Sequence, residues 1–127
     1  MLRRLADRLA PGAELKDLGT TTHDCKTEGL IFKSWQISFA VPSGDGADRL
    51  DDARKLFAAA GYSKGHENLD YALGPDILWL DEKTDTQLHA IGYRDSSRMD
   101  LIVDGPCGAP GGDDTLTGNP LDTGTSG

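Results

Sequence analysis

The sequence predicts an α+β domain, in which an antiparallel sheet of four to five strands carries two helices packed on one face. The segment 30–41 alternates apolar and polar residues from Trp35 to Val41, which is the two-residue period of a β-strand. Two other segments, near residues 2–9 and 47–60, show the apolar spacing of amphipathic helices. The last third of the domain alternates again in short runs and therefore indicates a β-meander.

The length and charge of the chain limit its organisation and its partners. With 127 residues, the chain has the length of one domain, and we expect residues 1–108 to form a single α+β domain. Residues 109–127 contain mainly Gly, Pro, Thr and Asp and no Lys or Arg, so we expect a disordered acidic tail. The formal net charge of −8 disfavours nucleic acids and anionic membrane surfaces, because both bind clustered Lys and Arg.

The first half of the domain predicts a helix followed by two paired strands. The apolar spacing of the first helix ends at Pro11-Gly12. Three consecutive threonines favour an extended segment from about residue 14 to residue 25, with a kink at Gly19. A short polar turn then leads into the central strand, so the two strands should pair antiparallel.

The second half predicts one helix and a meander. The helix runs from about residue 47 to residue 60, and Gly61 is a suitable stop because it adopts the left-handed conformation easily. We interpret residues 63–68 as a polar connection and the alternating residues 69–73 as an optional short strand. The remaining strands are predicted near residues 77–80, 87–94 and 99–103.

The chain contains two cysteines, Cys25 and Cys107, each at the end of a predicted strand. Neither has a second cysteine nearby, which excludes a CxxC redox or zinc motif. The thiols are either free and buried or joined to each other. Pairing would close a loop of about 80 residues and stabilise the fold by about 4 kcal/mol. We favour pairing, which would indicate an oxidising compartment.

The arrangement resembles a type of small actinobacterial secreted protein or lipoprotein of uncharacterised function. The matching features are Pro11-Gly12 after the first helix, Gly61-Tyr62 after the second, and the two cysteines. This resemblance covers about residues 2–108 and implies an extracytoplasmic location and a disulfide between Cys25 and Cys107. It implies no activity. The first residues contain neither a signal peptide nor a lipobox, so we expect the export signal to be absent from this sequence.

No residue pattern predicts a catalytic, cofactor or metal site. Metal-ligand residue types are present without the spacing of a zinc finger or an HExxH helix, namely His23, Cys25, His66, Glu67 and His89. The sequence lacks a GxSxG motif, and its adjacent carboxylates are better explained by helix capping, turns and solvation. The segment Gly44-Asp45-Gly46 precedes a helix as an anion site would, but its aspartates would repel phosphate. We therefore expect no enzyme, no cofactor and no metal.

The sheet face that the helices leave uncovered is the predicted binding surface. Two helices cannot cover all of its large side chains, and exposed apolar patches often mark interaction sites. The predicted binding face consists of Phe32, Trp79, His89, Ile91 and Tyr93, although Trp79, like Trp35, also suits the core.

These observations favour a non-enzymatic extracytoplasmic domain that binds another protein or an envelope component. It would be a cell-envelope lipoprotein, or an inhibitor or immunity-type partner of another protein. The alternatives are a small hydrolase with an unrecognised site and a cytoplasmic domain with two free thiols. No apolar run is long enough for a transmembrane segment, and the oligomeric state is left open.

Overall fold

A computed structural model of the chain describes residues 2–42, 44–70, 72–94 and 96–108. The predicted tail, residues 109–127, lies outside the described residues. The elements, in chain order, are α1 (Leu2–Leu9), β1 (Lys16–Asp24), β2 (Ile31–Ala40), a 3₁₀ turn (Gly46–Arg49), α2 (Leu50–Ala59), β3 (Ser63–Asn68), β4 (Asp76–Asp81), β5 (Thr86–Gly92) and β6 (Arg98–Asp104). The strands form one antiparallel sheet in the order β1-β2-β6-β5-β4-β3. The α+β class is therefore confirmed.

The sheet has six strands rather than the predicted four to five. The additional strand is β3, in the segment predicted to be a polar connection. As an edge strand with mostly exposed residues it has no apolar alternation, so its sequence carries no strand signal. The optional strand at residues 69–73 was placed wrongly, because Leu69 and Leu73 lie in the turn between β3 and β4.

The register of the four central strands sorts their side chains onto two faces. Across the sheet, Ile37 pairs with Leu101, Leu101 with Ala90, and Ala90 with Ile77. All four are fully buried. We call this side of the sheet the core face, and the side reached by the alternate residues the polar face.

Both helices contribute to the core. The predicted stripe of α1 is buried, and this helix packs against α2 and β6. The predicted helix at residues 47–60 begins as the 3₁₀ turn and continues as α2, which buries Leu50, Ala53 and Phe57 and packs against β5. These buried residues belong to the same cluster as the core face.

The entrance to α2 is fixed by backbone contact with the β5–β6 hairpin. The Gly46 amide donates to the Ser96 carbonyl and the Ala47 amide to the Tyr93 carbonyl, at 2.8 and 3.2 Å. A Cβ at Gly46 would lie 1.7 Å from the Arg98 carbonyl oxygen, so only glycine allows this approach. The segment before α2 therefore docks on the sheet, and its first amide is not available to an anion.

The two edge strands are held in different ways. β1 is exposed at all nine positions, and its register shifts between Asp17 and Gly19, where the φ of Gly19 is 87°. This is the kink predicted at that glycine. β3 is instead held by Glu67, which accepts hydrogen bonds from the Arg54 guanidinium at 2.9 and 3.1 Å and from the Trp79 indole at 3.2 Å.

The predicted disulfide is confirmed. Cys25 follows β1 and is bonded to Cys107, which follows β6, with Cα atoms 6.2 Å apart. The chain beyond β6 runs beside the start of β2, where Ile31 and Gly108 exchange two backbone hydrogen bonds. The bond therefore ties the β1–β2 hairpin to the end of β6, an interior strand of the sheet.

Removal of the disulfide should lower stability substantially. The cysteines are 82 residues apart, and the chain-entropy estimate for that loop is about 4 kcal/mol. We expect the double variant Cys25→Ser/Cys107→Ser to lose about this much unfolding free energy in urea titrations without reductant. Two reactive thiols in the denatured, non-reduced wild-type protein would contradict the bond.

Loss of the Glu67 carboxylate should release β3 from α2. The Glu67 side chain is 10% exposed, and hydrogen bonds from Arg54 lower its pKa below the ordinary value of 4.5. We expect Glu67→Gln to reduce the unfolding free energy by about 1–3 kcal/mol at pH 7.

This difference should depend on pH in a defined direction. A pKa that is lowered on folding stabilises the protein above the ordinary value and ceases to do so as pH falls through the lowered value. Denaturation of wild type and Glu67→Gln at pH 7 and pH 3 should therefore give converging stabilities at pH 3. An undiminished difference at pH 3 would show that the ion pair is not responsible.

Candidate binding surface on the polar face

The polar face presents one aligned row of side chains from β2 to β3. Gln36 pairs with Ile102, Ile102 with His89, His89 with Leu78, and Leu78 with His66. The neighbouring rows contain carboxylates, hydroxyls and an arginine among apolar side chains. This surface therefore combines apolar groups with hydrogen-bonding groups at fixed strand spacing.

Asp100 is the first of two carboxylates that collect the hydrogen bonds of this face. Although it points away from the core, it is only 1% exposed. Its carboxylate accepts hydrogen bonds from the Tyr93 hydroxyl at 2.8 Å, from the Gln36 amide at 2.9 Å and from Arg98 Nε at 3.4 Å. The guanidinium carbon of Arg98 also lies 4.8 Å from the centroid of the Tyr93 ring. These side chains cover Asp100 and hold one another in place.

Asp104 is the second of these carboxylates, four residues further along β6. It accepts hydrogen bonds from the Ser34 hydroxyl and, at 3.0 Å, from Nε2 of His89. On the other side of that imidazole, Asp76 Oδ1 lies 4.0 Å from Nδ1. His89 is therefore positioned between two carboxylates that come from β6 and β4.

The two carboxylates beside His89 have opposite pKa shifts. Burial acts to raise the pKa of Asp104, but hydrogen bonds from His89 and Ser34 and the nearby histidine charges outweigh it, so the pKa lies below the ordinary value. Burial raises the pKa of Asp76 above the ordinary value, since attraction to His89 and His66 compensates only in part. The buried Oδ1 of Asp76 accepts no hydrogen bond from the described residues. Asp104 is thus stabilised as an anion, whereas Asp76 carries its charge at a cost.

Four of the five predicted binding-face residues lie on the polar face. His89 and Ile91 alternate with the core residues of β5, and Tyr93 follows on the same side. Phe32 lies on the adjoining part of β2, stacked on the His23 ring with centroids 5.0 Å apart. These residues are half-buried.

Trp79 lies on the opposite side of the sheet. It pairs with Leu88, packs edge-on against Phe57 at a centroid distance of 6.3 Å, and donates to Glu67. Trp79 is therefore partly buried against the core, as Trp35 is, and does not share a face with the other four. The reason is the alternation of β4. Leu78 and Leu80 point to the polar face, so Trp79 between them points to the core face.

The residues that organise this face were not predicted from the sequence. Asp100 and Asp104 were visible as the outward positions of β6, opposite Met99, Leu101 and Val103. Their partners come from other strands, so only the register brings Gln36 or Ser34 beside them. The alternation in β6 predicts where the carboxylates point but not what they contact.

A cavity of about 440 Å³ lies where this face meets the disulfide. Asp24, Phe32, Asp104 and both cysteines line it.

Across the described part of the chain, no group of three or more His, Cys, Asp or Glu residues is placed to hold a metal ion. Among the same residues, neither helix has the length and apolar character to cross a bilayer.

Comparison with protein-family models, curated proteins and solved structures finds no match to this chain.

Neutralising Asp76 should stabilise the protein at neutral pH. A pKa that burial raises means that the charged form is disfavoured on folding, and this penalty is present above the raised pKa and absent below the ordinary value. We expect Asp76→Asn to have a higher unfolding free energy than wild type at pH 7, and the difference to vanish by pH 3. A lower stability of Asp76→Asn at pH 7 would indicate that attraction to His89 outweighs burial.

Proposed function

We propose that this chain is a non-enzymatic extracytoplasmic binding domain, and that the polar face of its sheet contacts another protein or an envelope component. In this proposal both helices cover the core face, and the polar face is left for the partner. The observation that supports it best is the fixed hydrogen-bond network around Asp100 and Asp104 on a face that contributes nothing to the core cluster.

The network favours binding because it orders side chains before a partner arrives. Each flexible side chain that is immobilised on association costs about 0.5–1.5 kcal/mol. Arg98, Gln36 and Tyr93 are already positioned by Asp100. A partner would therefore meet a surface that needs little further ordering.

The composition and size of the face are suited to a protein partner. Half-buried Phe32, Ile91 and Tyr93 lie among charged and hydroxyl groups, and protein interfaces are enriched in aromatic residues and arginine. With strands about 4.8 Å apart and roughly 20–25 Å long, the six-stranded face presents roughly 500–600 Å² in projection. A standard interface buries about 800 Å² on each partner, so this face would supply most of one.

The disulfide supports the proposed location. Stable disulfides are rare in reducing cytoplasm, and here the two cysteines of the chain are bonded to each other. The resemblance to small actinobacterial secreted proteins and lipoproteins favours the same compartment.

The geometry gives no specific support to the hydrolase alternative. A nucleophilic serine is activated by a hydrogen bond to a general base. Ser34 and His89 instead both bind Asp104, each to a different carboxylate oxygen.

Ile91→Arg tests the proposed surface. Ile91 is half-buried on the polar face between Asp76 and Asp100 in the strand register, and an arginine there would project a charge into the contact. We expect a partner isolated with the wild-type chain from the envelope fraction, then purified, to bind Ile91→Arg at least tenfold more weakly by titration calorimetry.

Ala58→Arg is the matched control, because it introduces the same side chain at an exposed position of α2. It should bind as wild type does. Circular dichroism and thermal unfolding of both variants separate loss of binding from loss of folding. Equal partner affinity of Ile91→Arg and wild type would reject the polar face as the contact surface.

A further inference from the structure

An open groove of about 850 Å³ lies at the end of the sheet opposite the disulfide. Its walls are the connection between α1 and β1, the end of β2, and Arg98. Much of the lining is apolar, and its exposed or half-buried apolar residues are Pro11, Ala13, Leu15, Ala40 and Pro42. A volume of this size falls in the range of small-molecule sites, which are mostly apolar with a few placed polar groups.

Arg98 is fixed at one side of this groove. Its Nε donates to the Ser38 hydroxyl at 2.7 Å and, more weakly, to Asp100, and its guanidinium lies over the Tyr93 ring. Within the described residues, its two terminal amino groups make no hydrogen bond. The side chain is therefore held in position through Nε while four N–H donors remain for a ligand.

Lys16 supplies a second cation beside it. As the first residue of β1, Lys16 pairs with Ser38, the residue that also holds Arg98. Lys16 is exposed, and its ammonium has no ion pair in the described part of the chain. Glu14 is the acidic residue in the lining, so two cations face one carboxylate there although the whole chain has a net charge of −8.

The geometry points to a second binding site, which takes an amphipathic carboxylate of the fatty-acid type. The apolar body would lie along the accessible apolar residues Pro11, Leu15 and Ala40, and the carboxylate would bind the terminal amino groups of Arg98 and the ammonium of Lys16. Charge complementarity selects this occupant, since a planar guanidinium pairs with a carboxylate through two parallel hydrogen bonds. The site shares Arg98 with the polar face, but binding of the carboxylate does not require the proposed protein partner.

Titration of the full chain with decanoate tests this site. We expect saturable binding below the micellar concentration, with NMR amide shifts concentrated at Ala13, Leu15, Lys16 and Ala40. Decyltrimethylammonium has the same alkyl length and the opposite charge, so it should bind at least tenfold more weakly. Equal binding of the two probes, or no saturable decanoate binding, would overturn the proposal.

Two variants separate the cations from the apolar lining. Arg98→Gln and Lys16→Gln should each weaken decanoate binding at least fivefold, and Lys83→Gln, in the exposed turn after β4, should not change it. Lys16 lies on an exposed edge strand, so its variant remains informative if the loss of Arg98 disturbs Asp100. Unchanged decanoate affinity in Lys16→Gln together with a folded, unchanged Arg98→Gln would show that the groove does not recognise the carboxylate.

Discussion

The continuous register of β2, β6, β5 and β4 is the constraint on which the rest of this structure depends. Because side chains alternate along a strand, one register places Ile37, Leu101, Ala90 and Ile77 in one buried row and gathers the polar residues on the other face. A shift of one residue in β6 relative to its neighbours would place its carboxylates against α1. The apolar faces of both helices make that shift unfavourable, so the helices and the register support each other.

The edges of the sheet depend on contacts other than apolar burial. β1 is exposed along its whole length, and the disulfide ties its far end to the chain after β6. β3 is held by a partly buried carboxylate that receives hydrogen bonds from α2 and β4. Irregularities in both edge strands, at Gly19 and Gly65, also interrupt their pairing with neighbours. Such bulges and charges discourage edge-to-edge association of sheets.

The polar face shows how buried charge can organise a surface. Asp100 is almost fully enclosed, yet the groups that enclose it are its own hydrogen-bond donors. Asp104 and Asp76 contact the same imidazole with opposite pKa shifts, because Asp104 receives hydrogen bonds and Asp76 has a buried oxygen that no donor among the described residues reaches. This difference lies in the neighbours and not in the residue type. It therefore cannot be predicted from the positions of the aspartates in the chain.

The sequence by itself determined the elements whose apolar residues recur at a regular spacing. Helix α1, strand β2, the second helix and strands β4 to β6 were predicted close to their observed bounds. It could not determine β3, whose residues are exposed and polar, or the face of Trp79, whose neighbours Leu78 and Leu80 are equally apolar. Only the tertiary structure decided that Cys25 reaches Cys107 and which donors surround Asp100 and Asp104. The physical reason is that periodicity records burial along one element, whereas contacts between distant strands depend on sheet order and register.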